Sequence, residues 1–138
     1  MAYKTVILDG QAVSQLVTNA AAVLPGTLGT VSAAGAFAAA ADSDARLFVF
    51  GDNQYSTDGT AQVEANAGGN AYQINDGDLR CLILAASQTI AKNDKLYIGA
   101  NGQVTSVVTG GLVGYASESV TTGAGVTAQI AVTMTAGA

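Results

Sequence analysis

The chain has 138 residues, 49% hydrophobic and only 11% charged. It is long enough to bury an ordinary core as one domain and too apolar to be disordered. Five cations against ten anions, a net charge of −5, provide no basic stripe for a nucleic-acid backbone, and the absence of histidine removes the commonest general base, the usual catalytic triads and most zinc sites.

A surface so short of charge suits a protein that works packed against copies of itself or a partner, because self-repulsion is what keeps free monomers apart. It also suits a free domain with a Thr/Ser/Asn-rich face, and composition leaves both open. In chain order, Met1-Ala2-Tyr3-Lys4 runs directly into a strand-like segment, Lys4 to Leu8, with no basic region followed by an apolar stretch, so no secretion signal is expected. The charge-free stretch Gly10 to Ala41 is interrupted by Asn19, Pro25, Gly26 and Gly29 and is rich in Ala, which argues against a membrane span.

Within that stretch, Val13, Leu16, Val17 and Ala20 fall at helical spacing before Pro25-Gly26, so Gln11 to Leu24 reads equally as a short helix or as an extended segment. Residues 1–23 are accordingly a candidate N-terminal arm. Strands follow at Thr27 to Ser32 and Ala45 to Phe50, bounded by turn residues. Asp52 to Ala71 has only Tyr55 and Val63 as large apolar side chains, the composition of a long exposed loop.

Leu79 to Leu84 is an apolar strand; it contains the lone Cys81, expected to be buried and inert. Lys95 to Ile98 and Gln103 to Val108 flank Gly99-Ala100-Asn101-Gly102, and Asn-Gly predicts a tight hairpin turn. Leu112 to Ala116 is a further strand. The alternation of Val126, Ala128, Ile130, Val132 and Met134 with Thr127, Gln129, Ala131, Thr133 and Thr135 predicts a half-buried closing strand with Val126, Ile130 and Val132 inward. No internal repeat is visible. The fold class is all-β, a single compact sandwich or barrel of short antiparallel strands over residues 1–138.

No reaction is specified. Asp42/Asp44 and Asp76/Asp78 lie outside any calcium-loop spacing and read as solvated turn residues. Glu64 and Glu118 are the only glutamates, and there is no Trp to form a sugar platform beside them. Gly123-Ala124-Gly125 leads into a strand rather than a helix, which removes the phosphate-binding reading. Of Tyr3, Tyr55, Tyr72, Tyr97 and Tyr115, the last two fall within strands and are assigned to the core or a subunit interface. The expectation is therefore a non-enzyme with no catalytic, cofactor or metal residues, and no pattern singles out the interface residues.

The order of segments resembles that of small capsid decoration (cement) proteins of tailed bacteriophages. The matching stretches are Leu24-Pro25-Gly26-Thr27-Leu28, Arg46-Leu47-Phe48-Val49-Phe50, Asn75-Asp76-Gly77-Asp78-Leu79-Arg80, Ile90-Ala91-Lys92-Asn93-Asp94-Lys95-Leu96-Tyr97, Asn101-Gly102-Gln103-Val104 and Leu112-Val113-Gly114-Tyr115-Ala116. Asn93 stands where that family usually has Gly, and Asn is the next most tolerant of a positive φ. The resemblance implies a protein made in the host cytoplasm that binds the outer surface of the capsid shell. There it clamps neighbouring copies of the major capsid protein as a homodimer or homotrimer, with no nucleic-acid or membrane partner. The alternative is another virion or surface β module: a tail, fibre or carbohydrate-binding domain.

Overall fold

The computed structural model describes residues 7–9, 14–19, 21–40, 47–51, 68–108 and 110–135. Among them the strands are β1 (Ile7–Asp9), β2 (Ser14–Asn19), β3 (Leu28–Val31), β4 (Ala36–Ala39), β5 (Phe48–Phe50), β6 (Gly69–Gln73), β7 (Leu79–Leu84), β8 (Thr89–Ile90), β9 (Lys95–Ile98), β10 (Val104–Thr105), β11 (Leu112–Ala116), β12 (Val120–Thr121) and β13 (Ala128–Met134). A single 3-10 turn at Ala100–Gly102 completes the described elements. The all-β expectation holds, and barrel closure occurs twice.

The first barrel runs β2-β4-β3-β5-β6 and closes through β6 pairing with β2. The second runs β7-β10-β9-β11-β13 and closes where β13 returns to β7, with β1 added beside β7. Strands β8 and β12 form a separate two-stranded ribbon. The expectation of wholly antiparallel strands is corrected at two pairs, β2–β4 and β7–β10, which are parallel. The reason is geometric: directions cannot alternate all the way round a ring of five, so each barrel must contain a parallel pair.

The barrels repeat one another, which the sequence does not reveal. Replacing β2, β3, β4, β5 and β6 by β7, β9, β10, β11 and β13 reproduces every pairing and its direction. Register is kept as well. Tyr72 faces Ser14 and Val49, as Thr133 faces Leu79 and Tyr115; Ala71 faces Gln15 and Phe50, as Val132 faces Arg80 and Ala116. Turn hydrogen bonds recur too. Gly26 N–H donates to the Phe50 carbonyl at 2.7 Å and Phe50 N–H to that of Thr27 at 2.9 Å. Asn93, Ala116 and Asp94 make the same two bonds at 2.7 and 2.9 Å. Gly26 and Asn93 both sit at positive φ, 98° and 77°, so Asn93 takes the left-handed conformation expected of it.

Each barrel has its own filling. Val17, Val23, Phe37, Phe48, Phe50 and Ala71 fill the first, with the Phe37 and Phe50 rings 4.9 Å apart. The second holds Leu82, Leu84, Leu96, Ile98, Val104, Ile130 and Val132, and this cluster also takes in Leu28, Ala40 and Val49 from the first barrel. The two barrels are thus joined through shared apolar contacts.

Several sequence expectations shift. In β2, Val17 and Asn19 are buried while Leu16 and Thr18 are exposed, a period of two that realises the extended rather than the helical reading. Residues 7–9 and 14–19 are paired into the two sheets rather than forming an arm; 1–6, 10–13 and 20 lie outside the described residues. The C-terminal part of the expected 52–71 loop is barrel strand β6, and 52–67 lie outside the described residues.

The closing strand begins at Ala128, so Val126 falls in the preceding turn and is 58% exposed, whereas Ile130 and Val132 are fully buried. Ile130→Asp should leave no cooperatively folded protein, because it buries an unpaired charge, while Val126→Asp should change stability by no more than about 0.5 kcal/mol. Urea titration of both variants checks this; a cooperative transition for Ile130→Asp would show that the strand faces the other way.

Candidate interaction surface

Alternation along β7 puts Arg80 on the face of Leu82 and Leu84, which point into the second barrel. Arg80 is fully buried and paired with Asp78, Nη2 to Oδ2 at 2.7 Å; Asn75 Nδ2 donates to the same oxygen at 3.2 Å, and Arg80 Nη1 donates to the Leu79 carbonyl at 3.2 Å. The reading of Asp78 as a solvated turn residue is therefore corrected. Its neighbour Asp76 is exposed and accepts a bond from the Thr135 hydroxyl at 3.2 Å.

Cys81 is buried, as expected. Burial first, and the Glu118 carboxylate second, push its thiol up from 9.0 to about 12, the opposite of what a nucleophile requires. Glu118 is half-buried and accepts the Ala131 N–H at 2.8 Å, which ties the segment after β11 to β13. Among the described residues no three His, Cys, Asp or Glu side chains gather as a metal site, and no helix is long and apolar enough to cross a membrane. Asp42, Asp44, Glu64, Tyr3 and Tyr55 lie outside the described residues. Gly123 to Gly125 form a turn into the last strand.

What the described surface does offer is exposed apolar area on a nearly uncharged ground. Leu16 (66%), Val107 (56%), Val108 (72%) and Tyr115 (40%) stand out, whereas Tyr72 and Tyr97 are half-buried. Tyr115 borders a groove of about 480 Å³ on the outer face of the second barrel, lined also by Leu79, Lys92, Asn93, Ser117 and Thr133. The sequence named Tyr115 as core or interface but gave no reason to choose Leu16, Val107 or Val108. The available signal was the adjacent pair Val107-Val108, which breaks the alternation just after β10 ends at Thr105.

No family profile matches the chain, and no curated protein matches it by sequence. The fold is similar to that in the crystal structure of the head fiber gp8.5 N base of bacteriophage phi29, with a TM-score of 0.53 at 16% identity, covering 90% of this chain and 94% of that one. The likeness establishes a shared fold over nearly the whole of both chains.

Two outcomes follow for the buried groups. Asp78→Asn, which removes the carboxylate charge from Arg80 Nη2, should destabilise by about 3–5 kcal/mol, and Arg80→Met added to it should cost less than the sum of the single changes; equal and additive urea-midpoint shifts would contradict a coupled pair. The Cys81 thiol should resist alkylation at pH 8 until the protein is unfolded. Because its folded-state pKa is raised, the unfolded chain loses this proton first, so its contribution to stability is whole below the ordinary thiol range and falls as pH rises through it toward 12. Cys81→Ala should flatten that decline, and an unchanged alkaline pH profile would overturn the assignment.

Proposed function

We propose that this protein is a structural component of a phage head that binds the outside of the capsid shell and clamps neighbouring major capsid subunits, acting as a closed homo-oligomer, in preference a trimer. The observation that carries the reading is the double-barrel fold, similar over 90% of the chain to the N base of a phage head fiber. The order of sequence motifs, which resembles that of decoration proteins, and the scarcity of charge support it independently. Neither depends on chemistry at a site: the buried acid is paired with Arg80 and the only thiol is held protonated.

The mechanism is avidity. Each protomer makes a modest apolar and hydrogen-bonded contact with the shell, and joining two or three makes the later contacts effectively intramolecular. Bridges placed across capsomer seams would then resist outward pressure together. A second reading, favoured by the same structural likeness, makes the chain the anchoring base of a projecting fibre. Electron microscopy of virions separates the two, since a decoration protein gives a low knob and a fibre base supports an elongated projection.

With five cations and ten anions over the whole chain, and Glu118 the only charge after Lys95, binding should rest on apolar burial and backbone hydrogen bonds with ion pairs at the rim. Raising ionic strength from about 0.1 M to about 1 M shortens the screening length from about 10 Å to about 3 Å and leaves apolar contacts intact. The protein should therefore co-sediment with capsids stripped of it, stay bound in molar NaCl, and be released by urea or guanidinium. Release of most copies by salt alone would mean that a few charges dominate the interface.

A further inference from the structure

The join between the two barrels uses different surfaces on each side. On the first barrel it covers Gly26, Thr27, Leu28, Ala40 and Val49, all buried. On the second it uses the outer face of β7, where Cys81 and Ile83 are buried, together with the turn Gly99 to Gly102. Three contacts define the fit. Gly102 N–H donates to the Ala40 carbonyl at 2.7 Å. A Cβ on Gly102 would run into the Leu28 carbonyl, and one on Gly26 would lie 2.9 Å from the Cys81 carbonyl and 3.4 Å from the Ile83 side chain.

Because the barrels share topology and register, each buried surface has a counterpart on the other barrel. The counterparts of Gly26, Leu28, Ala40 and Val49 are Asn93, Lys95, Val107 and Tyr115, all exposed. Those of Cys81 and Ile83 are Leu16 and Thr18, and that of the Gly99–Gly102 turn is Ser32 to Gly35. Leu16, Thr18, Ser32, Ala33 and Ala34 are all exposed. Thus the second barrel leaves open the topological equivalent of the receiving surface, with Asn93 and Lys95 in place of Gly26 and Leu28 and the Tyr115 groove beside it, and the first leaves open the equivalent of the inserting surface. Of the five exposed large apolar side chains among the described residues, Leu16, Val107, Val108 and Tyr115 fall on these two surfaces or directly beside them, while Val126 lies in the turn before β13.

We propose that a second copy of this chain docks beside the groove: Leu16 and the 32–35 turn of one copy meet Asn93, Val107, Val108 and Tyr115 of the next, through the surfaces topologically equivalent to those that join the barrels within one chain. The interface is heterologous, so it continues from copy to copy until it closes as a ring. This deepens the oligomer part of the proposed function and is independent of capsid binding.

The test uses Leu16→Asp, which spoils the inserting surface, and Val108→Asp, which spoils the receiving one. Both positions are exposed, so each variant should remain folded and melt cooperatively, below wild type only by the stabilisation that assembly adds. By size-exclusion chromatography with light scattering, wild type should be a discrete multimer and each variant a single chain of 13.6 kDa. An equimolar mixture of the two should give a 1:1 dimer and nothing larger, because one good surface of each kind remains. In addition, Ala34→Cys combined with Val107→Cys should cross-link wild-type-sized multimers between chains under oxidation. A mixture that stays monomeric, or a variant that keeps the wild-type mass, overturns the head-to-tail interface. Wild type that is monomeric at every concentration overturns it too, and capsid co-sedimentation of that monomer then shows whether the coating function stands without it.

Discussion

Five strands of two to seven residues enclose little volume, and a unit of that size buries too small a fraction of its surface to be comfortably stable alone. Everything else in this structure follows from how that shortage is met. Leu28 and Val49 share a register row on the first barrel, and instead of facing water they enter the core cluster of the second. The fit depends on Gly102, whose positive φ of 70° and missing Cβ let the turn come against the Leu28 carbonyl. Two marginal units become one larger core. The join is directional, however, so it leaves one unmatched surface at each end of the pair, and that polarity is what a chain built for assembly can use.

The rest of the molecule keeps its polar demands internal. Asn19, fully buried, donates to the Ala21 carbonyl at 3.0 Å and accepts from Gly68 N–H at 2.9 Å, tying β2 to the start of β6. Thr122 links the β8–β12 ribbon to the second barrel through the Ala85 carbonyl at 2.8 Å and the Gln88 N–H at 2.9 Å. The Arg80–Asp78 pair is buried where β7 begins. Burying a pair costs desolvation and in return punishes any arrangement that separates the partners. What remains outside is mainly Ala, Thr, Ser, Gly and a few apolar side chains, a surface suited to lying against protein.

Much of this was legible in the sequence, because strands announce themselves by alternation and turns by residue type. Leu79 to Leu84 and Leu112 to Ala116 are strands at the expected bounds, and Asn101-Gly102 makes the hairpin turn with both residues at positive φ. The duplication was not legible because equivalent positions exchange volume. Gly29 lies under the Phe37 ring in the first barrel, and the same two positions are Leu96 and Val104 in the second. Phe48 opposite Gln73 becomes Gly114 opposite Met134. Each swap redistributes bulk between facing positions and so erases the identity, and connections of different length, 51–68 against 117–127, move equivalent residues out of constant spacing. The Arg80–Asp78 pair was missed because an Arg within an apolar run looks like an interruption. Its inward position in the alternation, with an acid two residues earlier, was the available signal. Of the candidate surface only Tyr115 was named from sequence, since exposure of Leu16 or Val107 is decided by which barrel packs on which.

The proposed head-coat role is tested most directly by quantitative mass spectrometry of virions purified from cultures that express this chain, combined with surface labelling of intact particles at a cysteine introduced at Ala124, an exposed turn position outside the groove. A coat on the outside of the head requires the protein in a fixed, high ratio to the major capsid protein, with this position labelled without disrupting the shell. Absence from virions, or a few copies per particle labelled only after disruption, would contradict it.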